Sequence, residues 1–261
     1  MSKTALLEKT GRTAIVTINR PEVRNCVDAE TAGAIRDIFD SLETDSLINA
    51  VILTGAGDIA FSSGLDLRQL ASEGPDLIPK VIFKDTGWAG IGRRHFSKPL
   101  IAAVNGVAIA GGLELMLSCD FAYASEHAQF GCNEVTLGPI ADAGGCFRLP
   151  RWVPLPLARE MLMTGMMISA DEAHRVGLVN RVLPKGKLME MCLKTAETIA
   201  GNSASSMSIT KSLIAETLGR HEDDAWVIND RYMVASFDTP DFMEGPRAFT
   251  EKRKKRFRQA R

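Results

Sequence analysis

Residues 98–120, KPLIAAVNGVAIAGGLELMLSCD, begin as an apolar run with the look of a buried strand (Leu100 to Val104), break at Asn105-Gly106, and reach Gly111-Gly112 ahead of a short apolar helix. Among Leu113, Leu115, Met116 and Leu117 that helix carries one carboxylate, Glu114. A carboxylate set among leucines has to be hydrogen-bonded, shifted in pKa or turned to water, because burying it bare costs on the order of several kcal/mol. Twenty residues on, within AQFGCNEVTLGPIADAGG (128–145), stands a second lone acid, Glu134, and Asp142 follows eight residues later. Taken singly, a lone Glu is more often a solvated face residue and a glycine pair more often helix punctuation. Two Gly-rich turns and three spaced acids in otherwise apolar sequence together point to acid–base chemistry on a substrate brought against backbone N–H groups.

The chain on either side of this stretch alternates strand and helix. Ala5 to Lys9, a turn at Thr10-Gly11-Arg12 and the alternating run Ala14 to Ile18 read as a β-hairpin. From the N-cap candidate Asp28, the apolar positions Ala32, Ile35, Ile38, Phe39 and Leu42 fall on one helical face. Ala50 to Thr54 is a strand rich in β-branched residues, of the kind covered on both faces in a parallel sheet, and the alternation predicts an α/β fold. Gly55 and Gly57 do not make a dinucleotide fingerprint, since no helix opens at them and the third glycine position is Ala60. FSSGLDL (61–67) is instead a tight Gly turn feeding a short helix, which leaves N–H groups unpaired at its start. Residues 72–97, punctuated by Gly, Pro and Ser, read as a mobile insertion beside a pocket, with Phe83, Trp88 and Ile91 as lining or as ordinary packing.

A strand follows around Phe121 to Ala124, Glu134 falls in a loop or short strand, and Gly144-Gly145 open a helix containing Arg148. Beyond Pro156 the pattern turns helical, with segments 156–164, 170–176, 185–200, 203–220, 222–237 and 241–256 and one strand, Leu178 to Leu183. The shift places a core over 1–198 and a helical region over 199–261.

Composition narrows the function classes. The chain has 261 residues, 45% of them hydrophobic, enough for one sizeable core. It has no apolar run long enough to cross a bilayer and no signal-peptide pattern at its start, which makes the cytoplasm the expected compartment and a membrane partner unexpected. Five cysteines without a C-x-x-C pair and four scattered histidines predict reduced packing thiols and no metal site. Residues 251–261, EKRKKRFRQAR, hold seven Lys/Arg against one Glu, which marks an anionic contact or a solvated helix end; no basic stripe elsewhere supports nucleic-acid binding.

FSSGLDL, NGVAIAGGLELMLSCDF, AQFGCNEVTLGPIADAGGCFRLP and the terminal EGPRAFTEKRKKRF, in this order and spacing, resemble the enoyl-CoA hydratase/isomerase (crotonase) superfamily over essentially the whole chain. The resemblance implies a spiral of ββα repeats in two sheets, capped by C-terminal helices that build homotrimers or hexamers. It implies an acyl-CoA thioester as substrate, with coenzyme A carried by the substrate and no separate cofactor. The N–H groups of Leu65 and Gly111 would hold the thioester oxygen as it becomes an enolate. Glu114 would activate the water that attacks Cβ, and Glu134 would protonate Cα. Arg24 would lie near a CoA phosphate and the Ser63 backbone near the adenine, with Phe249 and Lys252 supplied by a neighbouring subunit. Both glutamates are present at the hydratase spacing, which argues against dehalogenase-like or thioesterase-like relatives. The sequence departs from the best-known hydratases at Asp142, where they carry a small residue; an acid there resembles dienoyl-CoA isomerases and carnitinyl-CoA dehydratases and would shuttle a second proton or bind a polar acyl tail. Leu65 also replaces a smaller residue and would narrow the acyl tunnel. Reversible hydration of a 2-enoyl-CoA ranks first; the alternatives are an enoyl- or dienoyl-CoA isomerase using Glu134 with Asp142, a carnitinyl-CoA dehydratase, and a silent CoA- or RNA-binding relative.

Overall fold

The computed structural model describes residues 3–257. It opens with the hairpin β1 (Ala5–Thr10) and β2 (Thr13–Ile18), antiparallel and in register from Ala5 opposite Ile18 to Thr10 opposite Thr13. Helix α1 (Ala29–Thr44) starts where Asp28 accepts the Thr31 amide and buries Ala32, Ile35, Phe39 and Leu42, the face that the sequence spacing marks. The chain then runs through β3 (Ala50–Gly55), β4 (Ala60–Ser62) and α2 (Leu67–Glu73). Next come a short α3 (Ile78–Val81) and the two-residue strands β5 (Ile82–Phe83) and β6 (Gly87–Trp88). A second turn of the spiral is β7 (Leu100–Val104), β8 (Val107–Ile109) and α4 (Gly111–Met116); a third begins with β9 (Phe121–Ser125) and β10 (Gln129–Gly131) and leads to a 3-10 turn at Glu134–Thr136.

Each turn sends its first strand to one sheet and its second to another. The six-stranded sheet runs β1-β2-β3-β7-β9 and ends on β12 (Arg181–Leu183), parallel throughout apart from the first hairpin. The smaller sheet runs β4-β8-β10 in parallel and adds β11 (Met167–Ser169) antiparallel. This is the ββα spiral that the resemblance implies. Alternate residues of β3 explain its unbroken apolar run: Val51 and Leu53 join the main core, while Ala50 and Ile52 face the other way against Leu188, Cys192 and Ala196.

Beyond the 3-10 turn lie α5 (Gly145–Trp152), α6 (Leu155–Thr164) and α7 (Ala170–Arg175), then α8 (Leu188–Ala200), α9 (Ala204–Thr217), α10 (Glu222–Phe237) and α11 (Glu244–Thr250). The strand expected from Leu178 begins only at Arg181, because the amides of Leu178 and Val179 both turn back to the Ala173 carbonyl and close the end of α7. The helix expected over 241–256 stops at Thr250, and Lys252 is left-handed at φ 53°. Of the basic terminal run, residues 258–261 lie outside the described residues. Cys146 departs from the packing reading of the cysteines, being exposed on α5, whereas the other four are buried. Among the described residues no helix is long and apolar enough to cross a membrane.

Candidate active site

The turn between β4 and α2 presents the first element of the site. Gly64, at φ 84°, reverses the chain, and Val27 clasps the turn on both sides: its N–H donates to the Gly64 carbonyl at 2.7 Å and its carbonyl accepts the Asp66 amide at 2.9 Å. That pairing passes over the intervening Leu65 N–H, which has no protein acceptor among the described residues. Gly111 is the first residue of α4, so its amide is one of those a helix leaves open by construction. The two turns touch: a Cβ on Gly64 would come within 2.7 Å of the Gly111 nitrogen. Leu65 and Gly111 both line one cavity of about 770 Å³.

The acids enter the same cavity. Glu114, one turn into α4, is only 3% exposed, and its Oε1 accepts the Gly145 N–H at 2.8 Å. Burial pushes its carboxyl up to about 7; the Gly145 hydrogen bond works against that rise, and the charges of Glu134 and Asp142 add to it. Glu134 begins the 3-10 turn with both carboxylate oxygens buried and no hydrogen-bond partner among the described residues. Burial, then the charge of Asp142, raises its pKa as well. Asp142 also lines the cavity, although the residue as a whole is exposed. Two buried acids with raised pKa values around one space favour a state in which one keeps its proton while the other is ionised, an acid and a base side by side.

The segment expected to be a mobile insertion is tied into the core through buried Leu77, Val81, Trp88 and Ile91. Of the three side chains proposed as its lining, only Trp88 reaches the cavity; its indole N–H donates to the Gly111 carbonyl at 2.8 Å. Phe83 instead sits under the Arg36 guanidinium, 4.5 Å from its ring centroid, and Ile91 packs in the core. Ile78, Val81 and Ile82 supply the apolar wall in their place. Arg24 and Ser63 are both on the cavity, joined by the Ser63 N–H to the Arg24 carbonyl at 3.1 Å. Phe249 and Lys252 do not line it within the single chain, and Phe249 is 84% exposed.

The residue reading did not find Gly145 as the donor to Glu114. The signal was there in Gly144-Gly145, a glycine pair opening a helix and therefore free amides. Among the described residues no group of three or more His, Cys, Asp or Glu side chains has the arrangement to hold a metal ion.

Paired open amides on the same apolar cavity as two acids of raised pKa are an arrangement able to stabilise a developing oxyanion and to exchange a proton beside it. The sequence profile of the family described as enoyl-CoA hydratase/isomerase matches residues 8–260, and the chain belongs to that family. It is 38% identical to an enoyl-CoA hydratase of Mycobacterium tuberculosis, over 97% of this chain and 96% of that one. It is 35% identical to a carnitinyl-CoA dehydratase of Salmonella typhi, with 97% of each covered. A crystal structure of an enoyl-CoA hydratase from Mycobacterium tuberculosis H37Rv superposes with a TM-score of 0.91 at 35% identity, covering 98% of this chain and 99% of that one.

Proposed function

We propose that the chain catalyses the reversible hydration of a 2-enoyl-CoA to a 3-hydroxyacyl-CoA. The thioester oxygen takes the two N–H groups of Leu65 and Gly111. Glu114, ionised, accepts a proton from a water molecule as its oxygen attacks Cβ; the π electrons move to the thioester as an enolate, and protonated Glu134 delivers its proton to Cα. Because the oxyanion forms only on the way to the transition state, fixed amides in a dry pocket lower the barrier selectively, each by roughly 100- to 1,000-fold in rate. The observation that carries this reading is Glu134: two buried carboxylate oxygens without a partner, on the cavity the open amides line. A buried acid left unsatisfied costs stability, and a substrate-bound water or Cα proton is what it would serve.

Coenzyme A comes with the substrate and no resident cofactor is required in this scheme. Arg24 and Ser63 receive it, and Phe249 and Lys252 reach it from a neighbouring subunit of a homotrimer or of a hexamer built from two trimers. That assembly is supported by helices α9 and α10, which bury no residue in the single chain and expose Ile214, Trp226, Val227, Val234 and Phe237. The unpaired state of all five cysteines suits work in the cytoplasm.

Incubation with crotonyl-CoA, followed by loss of the enoyl thioester absorbance and identification of the product, tests the reading. Hydroxyacyl-CoA is expected. A shifted double bond without hydroxylated product would instead assign the site to an isomerase working through Glu134 and Asp142, which share the cavity. Failure to turn over any enoyl thioester, with CoA binding intact, would leave a binding protein.

A further inference from the structure

Arg148, on α5, is a largely buried guanidinium that no carboxylate pairs among the described residues. Its NH1 donates to the Ser118 hydroxyl at 2.9 Å and its NH2 to the Gly92 carbonyl at 2.6 Å. Burial lowers its pKa from the ordinary arginine value, and the charge of Glu114 works against that fall. A cation held only by neutral acceptors is an expensive arrangement, so what those acceptors hold is informative.

Ser118 lies just past α4, and its hydroxyl donates in turn to the Glu114 carbonyl at 2.7 Å. Glu114 is therefore gripped by α5 at two points: its carboxylate by the Gly145 amide at the start of that helix, its backbone through Arg148 and Ser118. The other arm, to Gly92, fastens the loop that carries Trp88, whose indole bonds the Gly111 carbonyl at 2.8 Å. One side chain thus connects the segment bearing the base to the segment packed on the open amide.

We propose that Arg148 is a positioning residue for the hydration, holding the Glu114 carboxylate in register with the Gly111 amide by tying α5, Ser118 and Gly92 together. This rests on the hydratase reading, and it adds an electrostatic consequence. The charged or titratable groups around Glu114 are Glu134, Asp142, Cys132, Cys146 and Arg148; desolvation, full at Cys132 and partial at the exposed Cys146, and the neighbouring acids raise both thiol pKa values, which leaves Arg148 as the one cation of the set.

The test is steady-state kinetics on crotonyl-CoA with the wild-type enzyme, Arg148→Met, Arg148→Lys and Ser118→Ala, alongside thermal melting and CoA binding by calorimetry. Wild-type turnover is measured first, since its absence would sink the hydratase reading whatever the variants do. Given turnover, Arg148→Met is expected to lose about 100-fold in kcat with KM changed less than about threefold, the size of effect that a small misplacement of a reacting group produces. Its acid limb in kcat/KM is expected to move to higher pH, because among the described residues Arg148 is the cation of the charged set around Glu114. Arg148→Lys should lose about tenfold in kcat with the limb unmoved, and Ser118→Ala should lose several-fold with the limb unmoved. If Arg148→Met does not fold, the other two variants decide alone. Full kcat in both Arg148→Lys and Ser118→Ala, or a fall in KM-controlled binding in place of kcat, or an unmoved limb in a folded Arg148→Met, overturns the proposal.

Discussion

A Cβ on Gly64 would stand 2.7 Å from the amide nitrogen of Gly111 and 3.2 Å from the Cβ of Ala110. The two turns that offer the Leu65 and Gly111 amides are therefore packed against each other with no room for a methyl group, and Gly64 is held at φ 84°, where an L-residue is strained. Gly64→Ala is expected to push the amides apart. The kinetic signature is a loss of at least about 100-fold in kcat, the value of one oxyanion donor. Melting should fall with it, by the equivalent of about 1–3 kcal/mol of backbone strain. Unchanged turnover in this variant would show that the amides do not act as a pair.

The proposed hydration gives the two glutamates separable tasks. Glu134→Gln and Glu114→Gln are each expected to lower kcat by roughly 100- to 10,000-fold, the range for a general acid or base. Exchange of the Cα protons of a saturated acyl-CoA with deuterated water separates them, because that step needs the oxyanion amides and the Cα base but no attack at Cβ. Glu114→Gln should keep the exchange and Glu134→Gln should lose it. The opposite pattern, read by mass spectrometry, would reverse the two roles.

Glu114 also makes stability depend on pH. Its pKa rises from 4.5 to about 7 on folding, so between these values the folded chain holds a proton that the unfolded chain has released. Stability is full below the lower value and falls as pH rises through the upper one, with a cost of up to about 3 kcal/mol by pH 8. Glu114→Gln removes the titration and its amide oxygen still accepts the Gly145 N–H. Urea unfolding should show no gain for this variant at pH 5 and a gain that grows towards pH 8; a gain independent of pH would mean that the carboxylate is not titrating in this window.

How much of this could be read in the sequence follows from the length and period of each signal. The hairpin, α1 and β3 carry long, regular apolar patterns, and they form within a residue or two of where those patterns place them. The smaller sheet was invisible residue by residue, because Ala60–Ser62, Val107–Ile109, Gln129–Gly131 and Met167–Ser169 are three residues each, too short for alternation to show. Only the resemblance implied that sheet. Glu114, Glu134 and Asp142 stood out as acids in apolar sequence, and the structure brings all three to one cavity. Residues 81–96 carry apolar positions at helical spacing but hold two short strands, Ile82–Phe83 and Gly87–Trp88, so of the three side chains open as lining or packing only Trp88 faces the cavity, while Phe83 meets Arg36 and Ile91 packs in the core. The sequence placed Arg148 on the helix that Gly144-Gly145 open but gave no sign of its contacts, since its partners are a carbonyl and a hydroxyl far along the chain.

The turn that carries Leu65 depends on a second arginine. Arg20 reaches Asp28 at 3.0 Å with one nitrogen and Asp66 at 3.0 Å with the other, and these aspartates cap α1 and α2 respectively. Removing Arg20 leaves two carboxylates facing each other in a half-buried setting, where the uncompensated charge costs more than the lost attraction. Arg20→Met is expected to destabilise the protein by about 3 kcal/mol. It should also lower kcat, since the Asp66 amide helps Val27 clasp the turn. Asp66→Asn keeps an oxygen able to cap α2 while deleting one of the two charges, so the pair Arg20→Met/Asp66→Asn should recover part of the stability lost in Arg20→Met alone. A double-mutant cycle in urea measures this coupling directly. Strict additivity of the two substitutions would mean that Arg20 holds the turn through packing of its aliphatic stem, and that charge balance at Asp66 has no part in presenting the Leu65 amide.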